Sequence, residues 1–335
     1  MTDTHENIPK YARSSVNLAS PRMGSEAVLA SDDFFAAKER MLQDSEPVFI
    51  EGKFDDNGKW MDGWESRRRR GGGHDWCLVR LGVAGIIHGV DIDTRHFTGN
   101  YPPAASLQAC LSDSQPGDAT QWTTILEPVS LGPDAHHFTE VSGSGPWNWL
   151  RLNILPDGGV ARLRVFGQPY RDWSTVDGNT SVELSALENG GRVVAYNNAH
   201  YGDVWAVLAA GRGKDMGDGW ETRRRREPGN DWMIVALGTA GTLEAIEVDT
   251  AHFKGNFPDR CSVQAAFVGD ATDQSLITQS MFWEPVLAEQ KLSADHLHRF
   301  DGDRIAEIGP VTHLRLNIHP DGGVSRFRVF GKPCP

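Results

Sequence analysis

The chain has 335 residues, with 33 basic and 45 acidic side chains and a formal net charge of -12. That charge excludes a general nucleic-acid binder, and we expect no membrane partner because no run approaches the ~20 apolar residues that span a bilayer. We also expect no secretory signal, since residues 1–20 are polar and lack an apolar core segment. The length fits two domains of about 150 residues, each large enough to bury its own core.

A helix is predicted near the N-terminus, after an arm at residues 1–20. Residues 32–42 offer Asp32 or Asp33 as an N-cap, and apolar residues follow at helical spacing. A related segment, 197–208, contains Gly202, so we predict a shorter helix there.

Most other segments predict strands. Residues 76–81 are apolar on both faces, which indicates a buried strand, and residues 90–93 predict a second strand that ends in the loop 94–102. Residues 150–154 and 161–165 alternate apolar with polar side chains on either side of the turn 156–159. This pattern predicts a hairpin, and the chain as a whole is predicted to be all-β, built from β-sandwich domains.

The four cysteines, Cys77, Cys110, Cys261 and Cys334, stand at positions that do not repeat and form no CxxC pattern. We therefore expect free thiols, no zinc knuckle and a cytoplasmic protein.

The chain repeats itself over most of its length. Residues 62–70 return as 218–226, and residues 93–100 return as 249–256, both 156 positions later. Residues 150–160 return 164 positions later, and Glu127-Pro128-Val129 matches Glu284-Pro285-Val286, which places the extra residues of the second copy near 287–299. A unit of this size is a domain. We predict one repeat at 21–169 and another at 184–335, joined by a linker at 170–183.

Three of the repeated motifs resemble the allantoicase family. They are Asp-Gly-Trp-Glu-x-Arg-Arg-Arg-Arg, Asp-Thr-x-His-Phe-x-Gly-Asn and Leu-Arg-Leu-Asn-Ile-x-Pro-Asp-Gly-Gly, and the resemblance covers residues 22–333. It implies two tandem jelly-roll β-sandwich domains of the galactose-binding-like type. It also implies a hydrolase of carbon–nitrogen bonds that converts allantoate to ureidoglycolate and urea in purine catabolism.

Release of intact urea requires cleavage of the bond between the central carbon of allantoate and a ureido nitrogen. The substrate carboxylate then needs a cation, best a guanidinium group, and the ureido N–H groups need acceptors. The departing nitrogen needs a proton, and the incoming water needs a base.

Side chains found in both repeats are candidates for these tasks. Binding of the substrate is assigned to arginines and asparagines: Arg67, Arg69, Arg151 and Asn100 in the first repeat, and Arg223, Arg225, Arg315 and Asn256 in the second. Acid–base chemistry is assigned to carboxylates and histidines: His96, Asp93, Glu65 and Glu127, and His252, Asp249, Glu221 and Glu284.

Each candidate also has a structural alternative. An arginine run is often a solvated face, a glutamate can pair with a nearby arginine, and an aspartate can cap its loop. A histidine can bond a backbone carbonyl, and Gly-Asn is common in turns. The same reasoning predicts a solvated face for Arg162, Arg164, Arg326 and Arg328.

Several questions stay open at this point. Either repeat or both can be catalytic. No cofactor is predicted, but a divalent metal stays possible, because loops like that of Asp32 and Asp33 bind a structural cation in some sandwich domains. Two observations argue against it: Asp32 and Asp33 match Asn197 and Asn198 in the second repeat, and no recognised ligand spacing is formed by His136, His137, His296 and His298. Alternative functions are a non-catalytic carbohydrate or small-anion binding protein on the same fold, or a ureidoglycolate lyase. We expect a homo-oligomer, because sandwich faces and edges favour assembly.

Overall fold

The computed structural model describes residues 8–143, 145–269 and 271–334, and the chain divides into two compact units between Tyr170 and Arg171. Regular structure is almost entirely strand, which confirms the predicted all-β fold with two repeats. The α-helices among the described residues are α1 (Lys10–Ser14) and α2 (Asp273–Gln279).

Unit 1 contains twelve strands within its described residues. They are β1 (Val16–Asn17), β2 (Glu26–Ala30), β3 (Phe54–Asp55), β4 (Gly58–Lys59), β5 (Trp64–Glu65), β6 (Asp75–Asp93), β7 (Ala104–Cys110), β8 (Thr123–Ser130), β9 (Phe138–Glu140), β10 (Trp147–Leu155), β11 (Gly159–Val160) and β12 (Arg162–Pro169). Short 3₁₀-helices lie at Pro21–Met23 and Lys38–Leu42. Strand β1, in the predicted arm, pairs with β12.

Unit 2 repeats this order without counterparts of β3 and β4. Its strands are β13 (Val182–Glu183), β14 (Arg192–Tyr196), β15 (Trp220–Glu221), β16 (Asp231–Asp249), β17 (Arg260–Ala266), β18 (Glu284–Lys291), β19 (Leu297–Asp301), β20 (Val311–His319), β21 (Gly323–Val324) and β22 (Arg326–Pro333). Its 3₁₀-helices are Trp173–Thr175, Leu187–Asn189, Val204–Leu208, Ser280–Phe282 and Gly302–Arg304.

Strand β6 is 19 residues long and is the strand with most partners in the sheet of unit 1. Its first half pairs with β2 and β10, and its second half pairs with β9 and β12, always antiparallel. The two strands predicted at 76–81 and 90–93 are therefore halves of one strand. The predicted hairpin is wrong, because β6 lies between β10 and β12 in the sheet. Strand β16 occupies the same place in unit 2.

The core follows the predicted alternation along β10. Leu150, Leu152 and Ile154 are fully buried, while Arg151 and Asn153 point to the opposite face of the sheet. Two tryptophans of the repeated Gly-Trp-Glu motif, Trp64 and Trp220, are also fully buried.

Strand register corrects one of the sequence matches. Strand β7 pairs Ala109 with Thr123, whereas β17 pairs Ala265 with Glu284. Glu284 therefore occupies the position of Thr123, and its match with Glu127 is wrong. Ala265 follows Ala109 by 156 positions but Glu284 follows Thr123 by 161, so five residues are inserted between β17 and β18, around α2.

The remaining extra residues of unit 2 lie after β19 and not near 287–299. Asp134 accepts a hydrogen bond from the amide of His96, and Asp295 accepts the same bond from the amide of His252, so the two aspartates are equivalent and 161 residues apart. Arg315, the equivalent of Arg151, follows it by 164 residues. Three residues are therefore inserted between β19 and β20, where the chain forms the 3₁₀-helix Gly302–Arg304.

Each predicted N-terminal helix is only a short 3₁₀-helix, Lys38–Leu42 in unit 1 and Val204–Leu208 in unit 2. The residues before it pair with a strand instead: Ala36 forms a bridge with Glu65, and Tyr201 forms one with Glu221. A strand partner satisfies the backbone groups that a helix would otherwise satisfy internally.

The same segments align differently from the sequence match. The indole Nε1 of Trp64 donates to the carbonyl of Asp32, and that of Trp220 donates to the carbonyl of Asn198. Asp32 therefore corresponds to Asn198, not to Asn197.

All four cysteines lie within the described residues and are free thiols, as predicted. In the described part of the chain, no helix has the length and apolar character needed to cross a membrane.

Candidate functional site

A pocket of about 310 Å³ opens in unit 1 where three of the repeated motifs meet. Its walls are Glu65 of β5, Ser66 and Arg68 after that strand, the loop residues 99–101 with Pro103, and the turn residues 156–158. Phe35 closes one side. The pocket therefore collects residues from Phe35 to Gly158, which are 123 positions apart in the sequence.

The turn after β10 holds two of these walls together. The carbonyl of Gly158 accepts a hydrogen bond of 3.1 Å from the amide of Ser66, and the amide of Gly159 donates one of 2.7 Å to the carbonyl of Asn100. A Cβ at Gly159 would lie 2.0 Å from the ring of Phe97, so only glycine fits this contact. The Asp-Gly-Gly motif is therefore structural and fixes the shape of the pocket.

Glu65 and Asn100 form the polar centre of the pocket. Nδ2 of Asn100 donates a hydrogen bond of 2.6 Å to Oε1 of Glu65. Burial raises the pKa of Glu65, the bond from Asn100 works against this, and the nearby carboxylate of Asp55 adds to the rise. A carboxyl group with a raised pKa can exchange protons with a substrate nearer to neutral pH.

Of the arginine run, the pocket includes Arg68 and not the predicted Arg67 or Arg69. Nη2 of Arg67 lies 2.6 Å from Oδ2 of Asp32, and Nη1 of Arg69 lies 2.6 Å from Oδ1 of Asp75. These ion pairs engage the two predicted guanidinium groups and hold the segment in place. Arg68 is exposed and forms no ion pair within the described ranges.

Unit 2 repeats the central contact. Nδ2 of Asn256 donates a hydrogen bond of 2.6 Å to Oε1 of Glu221. Arg223 and Arg225 form ion pairs of 3.0 and 2.7 Å with Glu227 and Asp231. His200 stands at the position of Phe35, because both backbone amides donate to the carbonyl of the motif glutamate.

The predicted histidines lie outside the pocket and bond backbone carbonyls. Nε2 of His96 is 3.1 Å from the carbonyl of Pro47, and Nε2 of His252 is 2.7 Å from that of Gly213. Both histidines have a positive φ, 70° and 72°. This geometry favours the structural alternative for both.

The predicted aspartates cap the loops that follow β6 and β16. Asp93 is buried and accepts a hydrogen bond of 2.8 Å from the amide of Arg95, and Asp249 accepts one of 2.9 Å from the amide of Ala251. Neither carboxylate lines the pocket.

Asp91, Asp93 and His136 offer ligand atoms within 4.8 Å of one another, which the sequence spacing did not reveal. Nδ1 of His136 lies 2.6 Å from Oδ2 of Asp91, and this contact raises the pKa of the imidazole. Arg95 and Arg164 lie 2.7 and 3.6 Å from Oδ2 of Asp93. Two guanidinium groups compensate the carboxylates, which opposes the binding of a metal cation.

The predicted glutamates Glu127 and Glu284 are exposed on the edge strands β8 and β18. They occupy different positions of the repeat and do not line the pocket. Arg151 and Arg315 lie on the outer face of the sheet, over Trp76 and Trp232, at 4.9 and 4.4 Å from the ring centroids.

The prediction of a solvated face is wrong for all four arginines. The side chains of Arg164 and Arg328 are only 13% exposed, and Arg162 and Arg326 are buried. Nη2 of Arg162 lies 2.8 Å from Oδ2 of Asp62, and Nη2 of Arg326 lies 3.0 Å from Oδ2 of Asp218. Arg162 is 0% exposed and also donates to the carbonyl of Ser45. The sequence could have indicated these pairs, because the aspartate and the arginine both occur in each repeat. The two partners are about a hundred residues apart, so the sequence did not link them.

Comparisons with known proteins point to one family over nearly the whole chain. A family model described as the allantoicase repeat matches residues 16–170 and 182–334. A probable allantoicase 2 of Burkholderia pseudomallei is 58% identical over 327 residues, which cover 97% of each chain. A probable allantoicase of Ralstonia nicotianae is 56% identical over 326 residues, again 97% of each chain.

Solved structures give the same result. The crystal structure of allantoicase from Saccharomyces cerevisiae has a TM-score of 0.77 at 34% identity, with 95% of this chain and 93% of that chain covered. A second allantoicase structure has a TM-score of 0.79 at 33% identity, with the same coverage.

Proposed function

The chain belongs to the allantoicase family, and on this basis we propose that it hydrolyses allantoate to ureidoglycolate and urea, a step of purine breakdown, in the pocket around Glu65. One observation carries the choice of site. The pocket combines a carboxyl group of raised pKa, an amide that fixes one of its oxygens and an exposed guanidinium group. These match the acid–base group and the cation that the reaction needs.

Arg68 binds the carboxylate of allantoate in this proposal. It lines the pocket and is exposed, so its guanidinium group is available for a bidentate contact. Arg67 and Arg69 support it by anchoring the segment to Asp32 and Asp75. Preorganised neighbours reduce the entropy that Arg68 loses when substrate binds.

Glu65 acts as the proton donor and acceptor. Its carboxyl proton goes to the departing ureido nitrogen while the bond between that nitrogen and the central carbon breaks, and urea leaves. Water supplies the oxygen that bonds to the central carbon, and the proton lost by water restores the acid form of Glu65. Asn100 holds Oε1 and leaves Oε2 to exchange the proton.

Unit 1 is the proposed catalytic unit. Its connection between Pro47 and Asp62 is ten residues longer than the one between Gly213 and Asp218, and it carries β3 and β4. Asp55, from this longer connection, contributes to the raised pKa of Glu65. The pocket of unit 1 thus has an electrostatic neighbour that the shorter connection of unit 2 does not supply.

Glu65→Gln and Glu221→Gln test the assignment as a matched pair. We expect Glu65→Gln to lower kcat for urea release by about 10²–10⁴-fold, because an amide cannot transfer the proton. Glu221→Gln is expected to retain most of the wild-type kcat. Near-wild-type turnover by Glu65→Gln would contradict the catalytic role, and equal losses in both variants would contradict the restriction to unit 1.

The assembly and the location of the protein are part of the same proposal. Large apolar side chains are exposed around α2, with Phe267 at 65%, Met281 at 62% and Phe282 at 82% exposure, which supports a homo-oligomer. Free thiols support a cytoplasmic location. Light scattering on Phe282→Ser measures the first point, because the variant should dissociate if this patch is the interface.

A further inference from the structure

Arg151 occupies an unusual position on the outer face of unit 1. It lies on β10 opposite Gln108 of β7, and its guanidinium group is 4.9 Å from the ring centroid of Trp76. Its Nε atom is shielded from solvent and has no hydrogen-bond acceptor within the described ranges. A guanidinium group stacked on an indole is partly desolvated, so it depends on its remaining edge for compensation.

No carboxylate supplies that compensation in the described part of the chain. Arg69, Arg95 and Arg162 each lie within 3.0 Å of an aspartate, whereas no ion pair involves Arg151 among these residues. Burial lowers the pKa of Arg151, and no nearby acid offsets it. Burying a cation without an anionic partner costs free energy, and an anion bound at the guanidinium group would offset that cost.

In unit 2 the equivalent arginine, Arg315, has hydrogen-bond acceptors, and a segment of the chain covers it. Nε of Arg315 donates to Oδ1 of Asn317 at 3.0 Å, and Nη1 donates to Oγ of Ser280 at 2.7 Å. Ser280 follows α2, in the segment made longer by the five inserted residues. Leu276 of α2 and Trp283 pack there against Ile234 of β16.

In the described part of unit 1, neither kind of acceptor bonds Arg151. Its shorter connection, residues 111–122, contains no helix. Oδ1 of Asn153, the counterpart of Asn317, instead lies 3.1 Å from Nε2 of His74. Leu29, on the strand beside β6, is 44% exposed on this face. Oε1 of Gln108 accepts a hydrogen bond of 3.3 Å from Nδ2 of Asn153, so Gln108 offers its amide NH2 group. The face therefore presents a cation, an amide donor and apolar surface, without the segment that covers it in unit 2.

We propose that this face of unit 1, formed by Leu29, Trp76, Gln108 and Arg151, binds a small carboxylate that also carries amide or hydroxyl groups. The carboxylate takes the place that the Ser280 hydroxyl has in unit 2 and receives hydrogen bonds from the outer edge of Arg151. Gln108 contacts the amide or hydroxyl group, and the body of the molecule lies against Trp76. This site is separate from the Glu65 pocket and goes beyond the proposed function.

N-carbamoylglycine is a suitable probe, because it has one carboxylate and one ureido group but lacks the second ureido group that would leave. Isothermal titration compares wild type with Arg151→Gln, and uses Arg315→Gln as the matched control for the covered position. We expect Arg151→Gln to lose one binding equivalent per chain, or to weaken it by about tenfold to hundredfold, the value of a charge-assisted hydrogen bond. Arg315→Gln should keep that equivalent.

Arg68→Gln serves as the control for the catalytic pocket, and Arg151→Lys controls for folding, since it retains the charge and should recover part of the binding. Equal binding by wild type and Arg151→Gln would overturn the proposal. It would also be overturned if Arg68→Gln abolished all binding of the probe, because the proposed site does not include Arg68. Dissociation of an oligomer by Arg151→Gln, with ligand binding unchanged, would identify a polypeptide as the occupant and would also overturn it.

Discussion

Asn100 donates a hydrogen bond of 2.6 Å to Oε1 of Glu65. The carbonyl of Asn100 is itself bonded to the amide of Gly159, so the loop that carries the amide is fixed to the turn after β10. Unit 2 has the same bond between Asn256 and Glu221. In each unit a carboxyl group is thus oriented by a side chain whose backbone is held independently, and in unit 1 this orientation serves the proton transfer proposed for Glu65.

Asn100→Ala should move the alkaline limb of the pH profile of kcat/KM to higher pH. The bond from Asn100 stabilises the carboxylate and lowers the pKa of Glu65, so its removal raises that pKa and extends the acid form to higher pH. We expect kcat to fall by up to about 10²-fold, because the carboxyl group loses its orientation. Urea release measured from pH 5 to 10 gives both values. Asn256→Ala is the control, and a limb that moves to lower pH would contradict the assigned cause.

His96→Asn and His252→Asn should keep turnover within several-fold of wild type. Each ring bonds a backbone carbonyl outside the pocket, and asparagine accepts the positive φ of both positions. The lost bond should lower the melting temperature slightly. Urea release by the purified, folded variants checks this, and a loss above about 10²-fold in either one would return that histidine to the acid–base role.

Arg162→Met should destabilise unit 1 by about 3–5 kcal/mol, because it leaves the buried carboxylate of Asp62 without its partner. Arg162→Met combined with Asp62→Leu should recover part of this loss, since no buried charge then remains. Unfolding in urea measures both. Arg80→Gln breaks an exposed pair with Glu26 and should change stability by less than about 1 kcal/mol. Similar effects for Arg162→Met and Arg80→Gln would refute the buried-pair account.

Glu183→Gln should alter how stability depends on pH. Burial raises the pKa of Glu183 to about 7, so the folded protein holds this proton more tightly than the unfolded chain. Its contribution to stability is fully present below the unfolded pKa, declines as pH rises, and is lost above about 7. The melting temperature of Glu183→Gln relative to wild type should therefore be higher at pH 8 than at pH 5. The exposed Glu307→Gln should show no such difference, and a reversed trend would contradict the assignment.

Two members of the pocket, Glu65 and Asn100, were predicted from the sequence because both occur in each repeat within recognisable motifs. Arg68 was not, although it belongs to the same motif as Glu65. Four consecutive arginines look alike in a sequence, and their roles differ because Asp32 and Asp75 approach Arg67 and Arg69 from segments about 35 and 6 residues away. Contacts of this kind depend on how the chain folds back on itself.

Local pattern was enough to establish a duplicated all-β chain, because alternation of apolar side chains and repetition of motifs are properties of neighbouring residues. The burial of Arg162, the true counterpart of Glu284 and the choice of Arg68 as the arginine that lines the pocket depended on long-range contacts and strand register. A five-residue insertion shifts every later match between the repeats, and only hydrogen-bonded partners across the sheet show where it lies. For that reason the fold class could be predicted from local sequence pattern, whereas the arrangement of side chains in the pocket depends on tertiary contacts between distant segments.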